Sequence, residues 1–201
     1  MELYTDYKSA RSGVIGQSLT EYSFLDEQGN GVVGAQIDGS DVSGINFLNQ
    51  EIINNSELTI FNYMPNAVGG ADYDFKTRDV NDRPEGMSRN QYSYRGMLFQ
   101  NVDGFSQGNN GTTVFASARD FGNVAAGYVA GNAGQPWRVS RLGFDGLQSW
   151  QEKGIATEGR PTQMAQKVGH NVGSANFSRR YQNQLNQIRA AKAKNTLLGP
   201  K

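Results

Sequence analysis

Acidic, basic and aromatic residues alternate in one short segment, Asp72-Tyr73-Asp74-Phe75-Lys76. An extended backbone would place the three charged side chains on one face and the two aromatic side chains on the other. Two carboxylates and an ammonium group that point into a cleft can serve general acid–base catalysis or bind a metal ion. The same spacing also fits a solvated edge strand with a local salt bridge.

A second segment places charged residues inside an alanine- and glycine-rich stretch with a helical pattern. It contains Arg119, Asp120, Asn123 and Tyr128. Asn123 lies one helical turn from both Arg119 and Asp120, so the three polar groups can converge. Because a buried, unpaired charge is costly, this pair faces either solvent or a polar site. A functional site and a structural ion pair both fit the pattern.

The C-terminal half contains two further residues whose side chains could take part in catalysis, Glu158 and His170. Glu158 lies in a predicted loop, a position that suits a catalytic carboxylate or a residue that assists the start of the next helix. His170 is flanked by Gly169 and Gly173 and suits either a general base or a structural role.

The composition excludes several kinds of site. The chain has no cysteine, which excludes disulfides, thiolate metal sites and a cysteine nucleophile. A single histidine excludes a multi-histidine zinc site and a two-histidine ribonuclease mechanism. Phosphate-loop, dinucleotide-binding, G-x-S-x-G and HExxH motifs are absent from the sequence. We therefore expect no cofactor, with a divalent metal needed only by a metal-dependent nuclease.

Charge is balanced overall but divided unequally along the chain. Lys and Arg number 19, as do Asp and Glu, which argues against nucleic-acid binding over the whole surface. Residues 1–137 carry 16 acidic and 8 basic side chains, whereas residues 138–201 carry 3 and 11. The two halves either neutralise one another in the fold or leave a basic C-terminal helix as a docking face for an acidic partner.

The length and the hydrophobic pattern predict an α+β fold in one domain. We expect strands and irregular loops to pack on a C-terminal helical part in a domain that spans residues 1–195. Its parts are an N-terminal strand and helix region (1–64), a loop-rich cleft segment (65–112) and a helical part (113–195), before a frayed tail (196–201). No apolar signal segment begins the sequence, and no run is long enough to span a membrane.

Local patterns predict individual elements within this plan. The apolar spacing from Phe47 to Ile53 indicates a helix, and the β-branched content of Leu58–Tyr63 indicates a strand. Small residues recur in the helix that follows residue 113, which would let another backbone approach closely. The glycines around His170 predict a break between two helices.

Two segments resemble a known family. Gly69-Gly70-Ala71-Asp72-Tyr73-Asp74-Phe75-Lys76 resembles the G-G-x-W/Y-D-(Y/F)-K segment of the polymorphic toxin type 44 family. Residues 118–129 resemble that family's second segment, in which an Asp is followed by Asn and then Gly-Tyr-Val. The stretch 137–148, with Glu158-Gly159 and Thr162-Gln163 after it, is similar to the branch found at the C-termini of Rhs-type proteins. The resemblance covers about residues 60–173.

The resemblance implies the toxic tip of a large secreted antibacterial protein. Such a tip is delivered into a target bacterial cell with its carrier polypeptide, and an immunity protein protects the producer. The residues that match the two motifs are Asp74, Lys76, Asp120 and Asn123. Many relatives carry a histidine where this chain has Ala125, so a mechanism that depends on that histidine does not transfer.

Three functions follow from these residues. The first is a hydrolase of the bacterial envelope, acting on peptidoglycan glycan chains. It would use Asp74, Asp120 and Glu158 with Lys76, and a raised pKa would make Asp120 the acid.

The second function is a nuclease. It would be metal-dependent through Asp72, Asp74 and Asp120, or a ribonuclease that uses Lys76, Arg119 and His170, with the basic C-terminal part contacting phosphates. The third is a non-enzymatic interaction or assembly module. For the first two, the substrate-binding candidates are Asp72, Tyr73, Arg119, Asn123, Tyr128 and His170.

Overall fold

The computed structural model describes residues 2–4, 13–105, 112–151 and 158–197, and it shows an α+β fold. The five strands are Glu2–Tyr4 (β1), Val14–Ser18 (β2), Ile37–Asp38 (β3), Gly96–Leu98 (β4) and Val114–Ser117 (β5). They form one small sheet in the order β1-β2-β5-β4-β3. β2 pairs parallel with β5 and β3 pairs parallel with β4, whereas the other two pairings are antiparallel.

Helices make up most of the remaining regular structure. In the N-terminal half they are Ser43–Asn46 (α1), which continues as a π-helix over Phe47–Ile53, then Ile60–Tyr63 (α2) and Arg89–Ser93 (α3). Single 3₁₀ turns occur at Met64–Asn66 and Val80–Asp82. The C-terminal half consists of Ala118–Asn132 (α4), Trp137–Gln151 (α5) and Arg160–Leu197 (α6). None of the helices within the described ranges is long and apolar enough to cross a membrane.

The hydrophobic core forms where the π-helix and α4 meet. Phe47 and Leu48 of the π-helix are buried together with Phe121 of α4 and with Phe75, which comes from the loop between α2 and α3. The Phe47 and Phe75 rings stack with their centroids 4.7 Å apart. This loop is therefore anchored in the core by an aromatic side chain next to the predicted site residue Asp74.

Glycine residues bring α4 and α6 into backbone contact. A Cβ atom added at Gly127 of α4 would overlap the carbonyl oxygen of Gln166, and one added at Gly169 of α6 would overlap that of Val124. Gly131 and Gly173 face the opposite helix in the same way. The prediction of a closely approaching backbone is confirmed, because no side chain separates the two helices at these four positions.

Three local predictions are wrong or incomplete. Leu58–Tyr63 is not a strand, because Thr59 and Asn62 form a capping box that starts α2 at Ile60. The helix does not break at Gly169–Gly173, since those glycines lie in the packed interface of an uninterrupted α6. The helical part does not begin at residue 113, since β5 comes first and α4 starts at Ala118.

Other predictions are confirmed or fall outside the described ranges. The apolar spacing from Phe47 to Ile53 does form a helix, of the π type. The frayed tail was predicted for residues 196–201, but α6 extends to Leu197 and residues 198–201 lie outside the described residues.

The glycine interface makes a testable prediction about stability. We expect Gly127→Ala to lower the free energy of unfolding by about 2–3 kcal/mol, because the added methyl group forces α4 and α6 apart. Gly122→Ala in the same helix is the matched control, since a Cβ there meets nothing within 4 Å. It should stabilise the helix by about 0.5–1 kcal/mol. Urea unfolding followed by circular dichroism measures both values, and equal effects would contradict this account of the interface.

Candidate active site

Asp74 lies in a loop of successive turns rather than in a strand. Its backbone N–H donates to the carbonyl of Ala71 at 2.9 Å, and the N–H of Thr77 donates to the carbonyl of Asp74 at 3.1 Å. The turns break the alternation that an extended backbone would give. Asp74 and Phe75 are both buried, whereas the side chain of Lys76 is half exposed.

Two hydrogen bonds fix one oxygen of the Asp74 carboxylate. The N–H of Gly70 donates to Oδ2 at 2.9 Å, and the Thr77 hydroxyl donates to the same oxygen at 2.7 Å. The other oxygen, Oδ1, lies 4.0 Å from the ammonium nitrogen of Lys76. Gly70 has a positive φ of 85°, a conformation that suits glycine, so this residue allows the turn that presents its N–H to Asp74.

The first turns of α4 form the opposite wall. Arg119 is largely buried and donates to the Thr162 hydroxyl at 2.9 Å, with further contacts to the Tyr94 hydroxyl and the carboxylate of Glu27. Burial lowers the pKa of the Arg119 guanidinium. Asn123 follows one turn later on the same wall. These contacts hold Arg119 in place between the N-terminal part, α4 and α6.

Glu158 lies just before α6 and is held by α5. Its Oε2 accepts a hydrogen bond from Arg141 Nη1 at 2.7 Å, and the same nitrogen donates to Gln166 Oε1 at 2.7 Å. Arg141 also pairs with Asp145 one turn along α5. Among the described residues, donors reach Oε2 of Glu158 and not Oε1, whereas Asp74 has Oδ2 hydrogen-bonded and Oδ1 4.0 Å from the Lys76 ammonium nitrogen.

Stacked tyrosines line the cleft beside Asp74. The rings of Tyr63 and Tyr73 lie with centroids 5.2 Å apart. Burial, and then the nearby charge of Asp74, raise the pKa of Tyr63, so its hydroxyl stays protonated over the physiological pH range. It lies 3.5 Å from the carbonyl oxygen of Gly122, to which it donates.

These walls enclose one cleft of about 100 Å³. Six of the sequence-predicted site residues line it: Tyr73, Asp74, Lys76, Arg119, Asn123 and Glu158. Because a water molecule occupies about 30 Å³ in the liquid, the cleft accepts a small group or one linkage of a larger substrate. The remainder of a polymeric substrate would lie outside it.

Asp120 is not part of this cleft. Its Oδ2 accepts from the N–H of Ser117 at 3.1 Å, while its own N–H donates to the Ser117 hydroxyl at 3.2 Å, forming the capping box that starts α4. Ser23 gives a further side-chain hydrogen bond. Burial raises the pKa of Asp120 to about 6, which is the direction we predicted. The carboxyl group, however, caps the N-terminus of α4. The shared Asp74–Asp120 cleft is therefore not formed.

Three other predicted residues also lie away from the cleft. Asp72 lines a separate groove of about 730 Å³ on the other side of its loop. Tyr128 is buried, and its hydroxyl accepts from Asn176 at 2.8 Å. His170 is buried in α6 with Nε2 2.8 Å from the carbonyl oxygen of Gln135, and burial lowers its pKa.

These positions bear on the two nuclease arrangements. Asp72, Asp74 and Asp120 point into three different surroundings, so they do not form a shared metal site. Within the described ranges, no three Asp, Glu or His side chains gather as a metal ion would require. His170 does not line the cleft that contains Lys76 and Arg119.

Sequence reasoning missed several residues that shape the site. Arg141 fixes Glu158, and Gln166 and Phe144 line the cleft. The i,i+4 spacing of Arg141 and Asp145 predicts an ion pair, but nothing local connects that pair to Glu158. The Ser-x-x-Asp pattern at residues 117–120 is the one local signal that identifies Asp120 as a helix cap.

Comparison of the chain with protein-family models, with curated proteins and with solved structures finds no match. The chemistry of the site therefore follows from its own residues. Two carboxylates, an ammonium group, a guanidinium and two carboxamides surround a small cleft beside stacked tyrosines. This set can protonate a leaving group and activate or replace a water molecule, as acid–base hydrolysis requires.

The buried Asp120 predicts a measurable pH dependence of stability. Its pKa is about 6 in the folded protein against an ordinary value of 3.8, so the folded state binds the proton more tightly. The stabilisation from this proton is complete below pH 4 and is lost as pH rises through 6, a change of about 3 kcal/mol. Asp120→Asn should remove that loss while its amide oxygen still accepts from Ser117.

Urea unfolding of both proteins at pH 4, 5, 6 and 7 measures this difference. We expect the variant to gain stability relative to the wild type as pH rises. A difference that is constant with pH would show that Asp120 has an ordinary pKa.

Proposed function

We propose that this domain is a carboxylate-based hydrolase centred on Asp74 and Glu158, and that it acts on the bacterial envelope. The observation that carries the proposal is the convergence of these two carboxylates, from segments far apart in the sequence, on one cleft. Glycoside hydrolysis needs two carboxyl groups, one as acid and one as base or nucleophile, and no histidine. Peptidoglycan glycan chains are the substrate class that we infer.

The site residues have distinct parts in this proposal. Asp74 and Glu158 act on the scissile linkage through the oxygens that no described residue hydrogen-bonds. Lys76 and Arg119 supply positive charge near the substrate oxygens, and Asn123 offers a carboxamide that can bind a hydroxyl or acetamido group. Tyr73 gives a sugar ring an aromatic surface.

The role as an antibacterial toxin rests on the resemblance of two segments to the polymorphic toxin family. Both segments line the cleft, the first through Tyr73, Asp74 and Lys76 and the second through Arg119 and Asn123. Motif residues on facing walls of one cleft support a shared function for the two segments. We propose a secreted Rhs-type effector domain, delivered into target bacteria as part of its carrier polypeptide.

A toxin of this kind needs a cognate immunity protein in the cell that produces it. A cleft of about 100 Å³ is blocked by a single inserted side chain. We propose that the immunity protein inserts such a side chain into the cleft that Lys76 and Glu158 line.

The hydrolase proposal predicts the effect of isosteric substitutions. Asp74→Asn and Glu158→Gln should each slow the release of reducing ends from purified peptidoglycan at least about 100-fold, because each removes a group that transfers a proton or attacks. Both amides can still accept the hydrogen bonds that hold the native side chains, so melting temperatures should change little. Asp72→Asn is the matched control, since Asp72 lies in the separate groove. Activity retained by Asp74→Asn or Glu158→Gln would contradict the assignment.

The compartment of toxicity separates an envelope hydrolase from a nuclease. We expect bacteria to lyse when they express the domain with a periplasmic export signal and to grow normally without it, because the proposed substrate lies outside the cytoplasmic membrane. Microscopy and the integrity of DNA and RNA are measured in both cultures. Loss of nucleic acid in the cytoplasm without lysis would instead establish the nuclease alternative, for which the basic charge of α6 is the favouring observation.

A further inference from the structure

A second concave surface lies on the opposite side of α4 from the cleft. It is a groove of about 390 Å³ between the loop that follows the π-helix, the end of α4 and the middle of α6. Its polar lining consists of two arginines, five asparagines, one serine and one tyrosine, and none of its lining residues is acidic. We call it the basic groove; Arg179 and Arg180 provide its charge.

An apolar groove of about 280 Å³ continues from the basic groove. The two share Leu58, Tyr128, Asn132 and Arg180, so they form one surface with a polar end and an apolar end. The apolar end includes Ile52, Val129 and Phe61, and the Phe61 side chain is 87% exposed. The exposed Phe61 ring therefore extends the apolar surface of this depression, and an apolar side chain of a partner could pack against it.

Among the described residues, no carboxylate of the acidic half forms an ion pair with an arginine of the basic groove. Each ion pair among the described residues joins two partners from the same half, whether within 1–137 or within 138–201. Arg179 pairs with no described carboxylate, and Arg180 donates to the carbonyl oxygen of Asn132 at 2.8 Å. In the sequence, the segment 181–194 that follows them contains no acidic residue.

The basic groove and the apolar groove together form what we call the double groove. We infer that the double groove binds an acidic protein segment that inserts a large apolar side chain. The arginines select carboxylates. The asparagine side chains can hydrogen-bond the backbone of an extended or helical segment, and the aliphatic lining of the apolar end accepts a leucine- or phenylalanine-sized group. A nucleic acid would satisfy the arginines but has no aliphatic group for the apolar end, so the lining favours a polypeptide.

The double groove shares no lining residue with the catalytic cleft. Tyr128 and Asn132 of α4 face the groove, whereas Arg119 and Asn123 face the cleft. The inference therefore does not depend on the proposed hydrolase activity. A partner bound here would hold the domain without filling the cleft.

Selection from a random peptide library tests the inference without assuming a sequence. Phage displaying random 16-residue peptides are selected on the full chain, and the affinities of the enriched peptides are measured by fluorescence anisotropy. We expect enriched peptides to combine several Asp or Glu residues with at least one Leu, Phe or Trp. Their affinity should fall as salt rises, because charge attraction is screened.

Three variants locate the binding site. Arg179→Gln and Phe61→Ser should each weaken peptide binding at least fivefold, since they change the basic and apolar ends separately. Arg138→Gln is the matched control: it removes an exposed arginine from α5 outside both grooves and should change affinity less than twofold. Circular dichroism melts confirm that all variants fold.

Several results would overturn the inference. One is a failure to enrich acidic peptides that contain an apolar residue; another is equal binding by Arg179→Gln, Phe61→Ser and the wild type. A ten-nucleotide oligouridylate that binds more tightly than the peptides and displaces them would assign the surface to nucleic acid instead.

Discussion

The backbone contact between α4 and α6 is the constraint on which the remaining structure depends. Helices with ordinary side chains pack with their axes about 8–10 Å apart, whereas glycines allow a closer approach. Each glycine costs about 1 kcal/mol in helix propensity relative to alanine. Here Gly127, Gly131, Gly169 and Gly173 have no Cβ atom at the four positions where one would overlap the backbone of the opposite helix. The contact places Gln166 of α6 beside the α4 wall of the cleft, and the middle of α6 forms one side of the basic groove.

The two concave surfaces lie on different sides of α4 and differ in charge and in volume. The cleft contains both charge signs in a small volume, which suits bond-breaking chemistry at a single linkage. The basic groove has one charge sign and a larger volume beside an apolar end, which suits the capture of a polypeptide. Glu27, which pairs with Arg119 at the cleft, comes from the same acidic half of the chain as Arg119, so this pair leaves the basic excess of the C-terminal half unchanged.

The sequence predicted the α+β class, the close helix contact and six residues of the cleft, and its failures have identifiable physical causes. Local propensity favours a strand at Leu58–Tyr63, but the capping box of Thr59 and Asn62 satisfies the backbone of a helix start instead. Glycines usually interrupt helices, yet Gly169 and Gly173 gain packing against α4 that the local sequence does not reveal. Arg141 was missed because its connection to Glu158 exists only after α5 and α6 pack together.

Asp120 and Asp74 show why burial alone does not identify a catalytic carboxyl group. Both side chains are almost fully buried, and burial raises the pKa of Asp120, the property by which the sequence analysis assigned it the acid role. Its carboxylate accepts hydrogen bonds from Ser117 and Ser23 at the start of α4, so the raised pKa of Asp120 reflects a structural role. Asp74 and Glu158 both line the cleft, and in each carboxylate the described donors hydrogen-bond one of the two oxygens. The proposed hydrolysis requires carboxylates that line the cleft, and for this reason the proposal assigns it to Asp74 and Glu158 and not to Asp120.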